Sequence, residues 1–289
     1  MNTAKIAFVG GGKRMLSCAE ALSRHGLECA LFGFDEISDK TSCTRCASLY
    51  DCYINSSAII LPLPLSRDGM TLGGTNARIL LCDVFGKAPV GVPIFAGNVS
   101  DKARAVAEES GREIYDYFDS EALTEKNAYA TAEGAIYLAM QNSERTIFSS
   151  KCLVAGYGRI GRYTARLLKC LGADVTVMAR REISRVKASL DGHKTVSCEE
   201  LCRCIRSFDL VFNTVPENIF GEKEISKMSS HQRYIELASP PYGLDRRLCE
   251  KYNVEIVDGS ALPSRYCPES AGEFIAEELF RELERSGVI

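Results

Sequence analysis

The sequence predicts an α/β protein made of two doubly wound domains, each built on a parallel sheet. Three observations favour this fold class. Short apolar runs alternate with amphipathic segments along the 289-residue chain, as is typical of parallel strands covered by helices. A glycine-rich turn follows an early apolar run in each half, at residues 10–12 and 156–161. Two longer amphipathic segments, at residues 127–143 and 268–285, predict helices that link the halves.

The first half has the element order of a complete α/β domain. Its predicted strands cover residues 5–9, 29–34, 58–61 and 92–95. Its predicted helices cover residues 14–24, 76–85 and 102–110. Strands that alternate with helices in this way predict a parallel sheet with helices on its faces.

The turn after the first strand, Gly10-Gly11-Gly12, imitates a nucleotide-binding loop. Met15 stands where a third glycine would allow the helix to pack closely on the strand, which disfavours a dinucleotide there. We interpret the turn as an anion site in which Arg14 and the helix N-terminus receive a substrate carboxylate. A structural turn with surface cations is the alternative.

The two long segments define the predicted domain layout. Apolar residues repeat at helical spacing through both segments, and Thr124 is a candidate N-cap for the first. A chain that leaves one domain by a long helix and ends in another commonly returns to the first domain. We therefore predict an N-terminal domain of residues 1–126 plus 268–289, a connecting helix at 127–144 and an inserted domain at 145–267.

The second glycine turn carries a complete dinucleotide-binding fingerprint. Gly156, Gly158 and Gly161 have G-x-G-x-x-G spacing between a predicted strand at 152–155 and an amphipathic helix that Gly172 ends. The first glycine permits a tight turn, the second lets a pyrophosphate touch backbone, and the third allows close helix packing. The helix N-terminus supplies N–H groups for the phosphates. The whole turn is therefore a predicted cofactor site, with Tyr157, Arg159 and Ile160 between the glycines.

The end of the next strand, at residues 175–178, indicates which nucleotide binds. An NAD site places an acidic residue there, but this sequence has Ala179 followed by Arg180 and Arg181. A carboxylate would repel a 2′-phosphate, whereas an arginine fork matches it. We therefore predict NADP as the cofactor. NAD stays possible because Glu182 is close by in the sequence.

Three further predicted strands, at residues 210–213, 234–237 and 255–257, end in loops that should border the nicotinamide. Ligands bind at the carboxyl ends of parallel strands, which is where these loops lie. Ordinary strand-to-helix turns are the alternative. The first two loops contribute these predicted cofactor contacts: Asn213, Thr214, Val215, Pro216, Ala238 and Ser239.

Composition excludes several other classes. A formal net charge of −3 gives no electrostatic case for nucleic acid or an anionic membrane. No segment approaches the roughly 20 apolar residues that span a bilayer, and no signal peptide is recognisable, so we expect a cytoplasmic protein. The thirteen cysteines lack zinc-ligand spacing, and we expect free thiols and no metal site.

Several motifs together resemble the family of dipicolinate synthase A subunits over nearly the full length of the chain. The motifs are KIAFVGG at 5–11, TAEGAIYLAM at 131–140, GYGRIG at 156–161, FNTVP at 212–216, ELASPPYG at 236–243 and ALPSRYCPESAGE at 261–273. The two last motifs are the most specific, since the glycine fingerprint also occurs in 2-hydroxyacid dehydrogenases and adenosylhomocysteinases.

The resemblance implies an oxidoreductase that forms dipicolinate from 4-hydroxy-tetrahydrodipicolinate, a dicarboxylate drawn from the lysine pathway. Loss of water and hydride transfer to NADP would give the aromatic ring. The resemblance also implies that the partner is a flavoprotein-like B subunit, in the mother-cell cytoplasm of a sporulating bacterium. We further expect a homo-oligomer.

Candidate catalytic residues follow from the chemistry that the resemblance implies. His25 lies in a helix-to-strand turn, His193 in a loop of the cofactor domain, and His231 at the amino end of a strand, the edge opposite the predicted site, so we expect none of them to be catalytic. We predict Glu133 as the base and Tyr266 or Ser239 as proton donors. The predicted substrate-binding residues are Arg14 and Arg265, as carboxylate clamps, and Arg67, which with Asp68 lies in a loop predicted to act as a mobile lid.

Two alternatives stay open. One is an NAD(P)-dependent 2-hydroxy or amino acid dehydrogenase. Ala179 disfavours it, and so does the absence of a histidine shortly before the last helix, where the hydroxyacid dehydrogenases have their acid–base histidine. The other is a non-catalytic cofactor-binding subunit of a complex, which the absence of a strong base in the motifs favours.

Overall fold

The computed structural model describes residues 4–35, 37 and 41–289. The strands are β1 (Lys5–Val9), β2 (Glu28–Phe32), β3 (Thr44–Arg45), β4 (Ala58–Ile60), β5 (Ile94–Ala96), β6 (Ile114–Asp116), β7 (Lys151–Ala155), β8 (Asp174–Met178), β9 (Lys194–Val196), β10 (Leu210–Asn213), β11 (Arg233–Glu236) and β12 (Ile256–Asp258). The helices are α1 (Lys13–Arg24), α2 (Leu49–Tyr53), α3 (Leu81–Gly86), α4 (Asp101–Glu109), α5 (Glu121–Asn142), α6 (Arg159–Cys170), α7 (Glu182–Leu190), α8 (Cys198–Cys204), α9 (Glu222–Ile225), α10 (Arg246–Tyr252), α11 (Leu262–Tyr266) and α12 (Pro268–Arg285).

The chain divides into two compact units. One contains the residues up to Asn127 together with Pro263–Ile289, and the other is Ala128–Leu262. The predicted connecting helix is the C-terminal part of α5 and belongs mostly to the second unit. Among the described residues, no helix is both long and apolar enough to cross a bilayer.

The first unit is a six-stranded parallel sheet in the order β3-β2-β1-β4-β5-β6. Its interior strand β1 is apolar and buried from Ile6 to Val9, as expected for a strand with helices on both faces. The returning helix α12 packs on α1 in this unit. The contact is close because Gly272 has no side chain, and a Cβ there would lie 2.5 Å from the carbonyl oxygen of Arg14.

The second unit repeats this topology, in the order β12-β11-β10-β7-β8-β9. All of its strand pairs are parallel, and β7 lies between β8 and β10 at the centre. Leu153, Val211 and Tyr234 from its central strands lie in one apolar core and are fully buried. The predicted fold class, two Rossmann-like domains with parallel sheets, is confirmed.

Two local predictions are wrong. Residues 76–80 are not helical, because the Asp35 carboxylate accepts the backbone N–H of Asn76 and Leu80 forms an antiparallel bridge with Thr71. Helix α3 starts only at Leu81. Thr124 is not the N-cap of α5, since the helix begins three residues earlier and the Ser120 hydroxyl accepts the N–H of Leu123.

Candidate cofactor site

The glycine turn between β7 and α6 is shaped by close backbone packing at two of its glycines. Gly156 has a φ of +96°, and a Cβ there would overlap the Thr214 hydroxyl. A Cβ on Gly161 would overlap the carbonyl oxygen of Gly156. A Cβ on Gly158 would meet nothing within 4 Å. The turn is therefore tight where it faces the protein and open at Gly158, which is where a pyrophosphate would approach backbone.

Helix α6 presents its N-terminus at this open position. Gly158 is its N-cap, and no side chain caps the first turn. The N–H groups at a helix start need acceptors and carry a partial positive charge. Arg159 is exposed beside Gly158, and Ile160 is half-buried. This arrangement fits the phosphates of a dinucleotide.

Tyr157 fixes the turn to the segment that links α7 and β9. Its hydroxyl donates to Asp191 Oδ2 at 2.5 Å, and its ring packs edge-on against His193, with the ring centroids 6.1 Å apart. Burial and the hydrogen bond to Asp191 raise the pKa of the Tyr157 hydroxyl. Tyr157 therefore has a positioning role in the turn in addition to any contact with a ligand.

The end of β8 carries the residues predicted to choose the nucleotide. Ala179 is buried, whereas Arg180 is exposed and forms an ion pair with Glu217 at 2.9 Å. Arg181 is exposed and is the N-cap residue of α7. Arg185 donates to the carbonyl oxygens of Ala179 and Arg180 at 2.7 and 2.8 Å, which holds this strand end in place. Glu217 was not predicted from the sequence, because its partner Arg180 lies 37 residues away in the chain.

The loop after β10 packs directly on the glycine turn. The backbone N–H and the hydroxyl of Thr214 both donate to the carbonyl oxygen of Ala155, at 2.9 and 2.8 Å. Val215 is half-buried, and a Cβ on Gly156 would lie 2.9 Å from its side chain. Pro216 is exposed at the end of the loop. The loop thus stands beside the open side of the turn.

A buried carboxylate, Glu236, joins this loop to the loop after β11. Its two oxygens accept from the side chain of Asn213 at 2.7 Å, the N–H of Ala238 at 3.0 Å, the N–H of Gly243 at 2.8 Å and the hydroxyl of Tyr234 at 3.2 Å. Burial and the nearby Glu236 carboxylate raise the pKa of that tyrosine. A buried carboxylate is tolerated only with such donors, so Glu236 fixes the course of both loops.

Glu236, too, was not among the residues predicted from the sequence. A usable signal existed, because a glutamate at the end of an otherwise apolar strand run implies a buried acid with dedicated donors. Its neighbours in the loop differ in accessibility. Ala238 is half-buried and Ser239 is exposed.

The predicted catalytic and substrate-binding residues are spread over both units. Glu133 is exposed on α5 and, like Ser239, belongs to the second unit. Arg265 and Tyr266 are neighbours in the first unit, where the guanidinium lies 5.2 Å from the tyrosine ring centre and donates to its hydroxyl at 3.3 Å. Arg67 is exposed in the loop after β4.

The loop that contains Arg67 is held by its own hydrogen bonds. The Asp68 carboxylate accepts from the N–H groups of Met70 and Thr71 at 2.8 and 2.7 Å, and from the hydroxyls of Ser66 and Thr71. The bonds from the Thr71 and Met70 backbone hold the pKa of the Asp68 carboxyl well below its ordinary range. Asp68 therefore stabilises a defined conformation of this loop.

Arg14 differs from its predicted role as an exposed clamp. Its side chain is buried, and it donates to the carbonyl oxygen of Leu63 and, at 3.3 Å, to Oδ1 of Asn127. Burial lowers the pKa of the Arg14 guanidinium. The turn in front of it is also covered, because a Cβ on Gly74 would lie 2.8 Å from the Cα of Gly11. Arg14 thus holds parts of the first unit together and does not face an open anion site.

No cluster of side chains in the described residues has the makeup of a metal site, and the thirteen cysteines, all of them described, form no disulfide. The residues of the second unit do fit a dinucleotide. The open Gly158 position, the uncapped start of α6 and the packed loop at Thr214 together form a cradle for a pyrophosphate.

Comparisons with known proteins agree with this assignment. Residues 116–254 match the NAD-binding domain of the D-isomer-specific 2-hydroxyacid dehydrogenases. This match places the second unit among the nicotinamide nucleotide-binding domains of dehydrogenase-type oxidoreductases. A transhydrogenase from Sinorhizobium meliloti has the same fold, with a TM-score of 0.71 at 14% identity over 97% of this chain and 94% of that chain.

More specific similarities extend over nearly the whole chain. Residues 5–118 match the N-terminal domain of the dipicolinate synthase A subunit. The dipicolinate synthase A subunit of Bacillus subtilis is 28% identical over 283 residues, which are 96% of this chain and 95% of that protein. The crystal structure of the corresponding Bacillus halodurans protein superimposes with a TM-score of 0.85 at 26% identity, over 98% and 99% of the two chains. The crystal structure of the Bacillus subtilis protein superimposes with a TM-score of 0.83 at 27% identity, over 99% of this chain and 97% of that chain. The predicted resemblance to the dipicolinate synthase A subunits is confirmed, and it extends over nearly the full length of the chain.

Proposed function

We propose that this protein forms dipicolinate from 4-hydroxy-tetrahydrodipicolinate. The substrate loses its hydroxyl group and a proton as water, and the dihydro intermediate then loses a hydride and a second proton to become aromatic. A nicotinamide nucleotide held at the glycine turn would supply the hydride acceptor. The main support for the proposal is the glycine turn that is open at Gly158, where a pyrophosphate would bind. The chain that contains this turn is similar to the dipicolinate synthase A subunit over nearly its whole length.

The proposed cofactor is NADP. In support of this, the residue after β8 is Ala179 rather than an acid, and Arg180 is exposed with its fork at the surface. Arginine recognises a phosphate monoester by two parallel hydrogen bonds. NAD is the alternative, since the matched domain family is an NAD-binding one.

The proposed chemistry needs groups that accept and donate protons and that hold two carboxylates. We assign proton acceptance to Glu133, which is exposed on α5, and proton donation to Ser239 or Tyr266. Arg265 and Arg67, both exposed, are the proposed carboxylate ligands. Arg14 is left out of this set because its guanidinium is buried on internal acceptors.

The proposed setting is a complex in the cytoplasm of a sporulating mother cell. The names of the relatives designate one subunit of a synthase, which supports the proposal that a second, flavoprotein-like B subunit is the partner. We also propose that the chain forms a homo-oligomer.

A cofactor-binding subunit without catalytic activity of its own is the second candidate function. It is favoured by the placement of the three histidines. His193 is buried against Tyr157, His25 packs against Phe280 with ring centres 5.1 Å apart, and His231 lies before β11 within 2.8 Å of the Ser229 hydroxyl. None of these positions resembles the acid–base histidine of hydroxyacid dehydrogenases.

One experiment separates the candidates. NADPH formation is followed by absorbance with the purified chain, with and without the flavoprotein-like partner, on hydroxy-tetrahydrodipicolinate and on simple 2-hydroxy acids. We expect turnover of the tetrahydrodipicolinate by the chain alone, reduced in Glu133→Gln and retained in Glu125→Gln, a matched change near the start of the same helix. Turnover only with the partner present would favour the non-catalytic role, and turnover only of 2-hydroxy acids would contradict the proposal.

A further inference from the structure

An exposed ion pair links the two loops that flank the glycine turn. Arg180 follows β8 and Glu217 follows β10, and in the sheet these strands are the two neighbours of β7. Nη1 of Arg180 lies 2.9 Å from one carboxylate oxygen of Glu217, and Nη2 lies 3.4 Å from the other. The pair therefore connects the loops on either side of the turn that would receive the nucleotide.

The geometry of this pair is the geometry that a phosphate would need. Two N–H groups of one guanidinium face two oxygens, as they would in a bidentate contact with a phosphate monoester. Two other arginines lie next to this strand end. Arg185 donates to the carbonyl oxygens of Ala179 and Arg180, and Arg181 is the exposed N-cap residue of α7. The fork of Arg180 is thus held by an acid of the protein itself.

The pair is weak enough to exchange. The side chains of Arg180 and Glu217 are 76% and 54% exposed, and an exposed ion pair typically shifts an equilibrium by less than about fivefold. A phosphate monoester carries more than one negative charge at neutral pH and makes stronger hydrogen bonds to arginine. A 2′-phosphate would therefore displace the carboxylate, but the displaced charge would stay nearby and repel it.

We propose that Glu217 is a specificity-determining residue for the nucleotide. It pairs with Arg180 in the free protein and yields the guanidinium to the 2′-phosphate of NADP. It thereby lowers the preference for NADP over NAD, which has a hydroxyl at this position. The inference rests on the proposed function, since it requires that the second unit binds a nicotinamide nucleotide.

The test is calorimetric titration of the full chain with NADP and with NAD. In Glu217→Gln we expect NADP to bind about 3- to 10-fold more tightly, while the affinity for NAD changes by less than about 2-fold. In Arg180→Met we expect NADP to bind at least about 10-fold more weakly. Adding Glu217→Gln to Arg180→Met should then raise the NADP affinity by a smaller factor than Glu217→Gln does alone, because the competition for the guanidinium is absent and only the repulsion is removed.

Asp174→Asn is the matched control. Asp174 begins β8, at the opposite end of the strand from Arg180, and pairs with Lys194 at 2.7 Å, so its substitution removes the same charge elsewhere. We expect it to leave the ratio of the two affinities unchanged. An unchanged ratio in Glu217→Gln, or an equal change in Asp174→Asn, would overturn the inference while leaving nucleotide binding intact. A wild-type chain that binds neither nucleotide would overturn the proposed function itself.

Discussion

The two glycine turns of this protein occupy the same place in two sheets of the same order, yet they differ in access. Each follows a five-residue strand and precedes a twelve-residue helix with a glycine N-cap. The first turn is buried at Gly10 and Gly11, beneath the loop that contains Gly74, and is exposed at Gly12. The second is partly exposed already at Gly156 and is exposed at Gly158. The same backbone design is therefore largely covered in one unit and more open in the other.

The third glycine position shows how the difference arises. Gly161 brings the start of α6 against the backbone of Gly156, since a Cβ there would overlap the carbonyl oxygen. Its counterpart Met15 is 2% exposed and fills the core beneath the first turn. The residue at this position therefore sets how closely the helix can approach the turn.

Removal of the Met15 side chain should have the largest effect on stability and no effect on nucleotide binding. In Met15→Ala we expect the free energy of unfolding to fall by about 2 to 5 kcal/mol, because a fully buried side chain leaves a cavity. Chemical denaturation measures this, and calorimetry below the transition should show unchanged NADP affinity. A weakened affinity would mean that the first turn takes part in nucleotide binding.

A side chain placed in the second turn should weaken nucleotide binding and leave stability unchanged. In Gly158→Val we expect NADP to bind about 100-fold more weakly, equivalent to about 2.7 kcal/mol, because the side chain would occupy the space in front of the helix N-terminus. We expect the midpoint of unfolding to stay the same, since nothing lies within 4 Å of the new Cβ. Titration and thermal unfolding of the same sample check both expectations.

Loosening the second turn without filling it should have a smaller effect. In Tyr157→Phe the hydrogen bond to Asp191 is lost, and we expect a loss of about 1 kcal/mol in the free energy of unfolding. The ring contact with His193 is kept in this variant. NADP affinity should fall by less than about 10-fold. No change in either quantity would show that Tyr157 does not position the turn.

The smallest effect concerns the pH dependence of stability. Burial and the nearby Lys169 lower the pKa of His193, so the folded protein binds its proton less readily than the unfolded chain does. The stabilising contribution of neutral His193 is therefore fully present above about pH 6.5, the pKa of histidine in the unfolded chain, and it is lost as the pH falls below that value. We expect His193→Gln to flatten the pH dependence of the unfolding midpoint between about pH 5 and 7. An identical dependence in the variant would contradict this role.

The sequence predicted most of the fold because parallel buried strands are recognisable as short apolar runs. Strand β10 and helix α12 have the predicted bounds, and β7 and β8 begin one residue earlier than predicted. The helix predicted at 76–85 was wrong at its start because a distant carboxylate, Asp35, takes the N–H of Asn76. Such a pairing leaves no trace in the local periodicity.

The site was less predictable than the fold. The glycine fingerprint could be read because its spacing is local, but Glu236 and Glu217 act on partners 23 and 37 residues away. Arg14 follows a glycine turn in the sequence as an anion-binding residue would, yet it donates to a carbonyl oxygen 49 residues away and to the Asn127 side chain. Only the packed structure distinguishes an arginine that faces a ligand from one that ties a core together.

The most direct measurement is the stoichiometry of NADP binding by calorimetry in the wild type and in two matched variants, Gly12→Val and Gly158→Val. Both substitutions place the same side chain where a Cβ meets nothing within 4 Å. We predict one nucleotide per chain in the wild type, one in Gly12→Val, and binding too weak to titrate in Gly158→Val. Two nucleotides per chain, or a single site that survives in Gly158→Val and is lost in Gly12→Val, would contradict the assignment of the cofactor to the second turn.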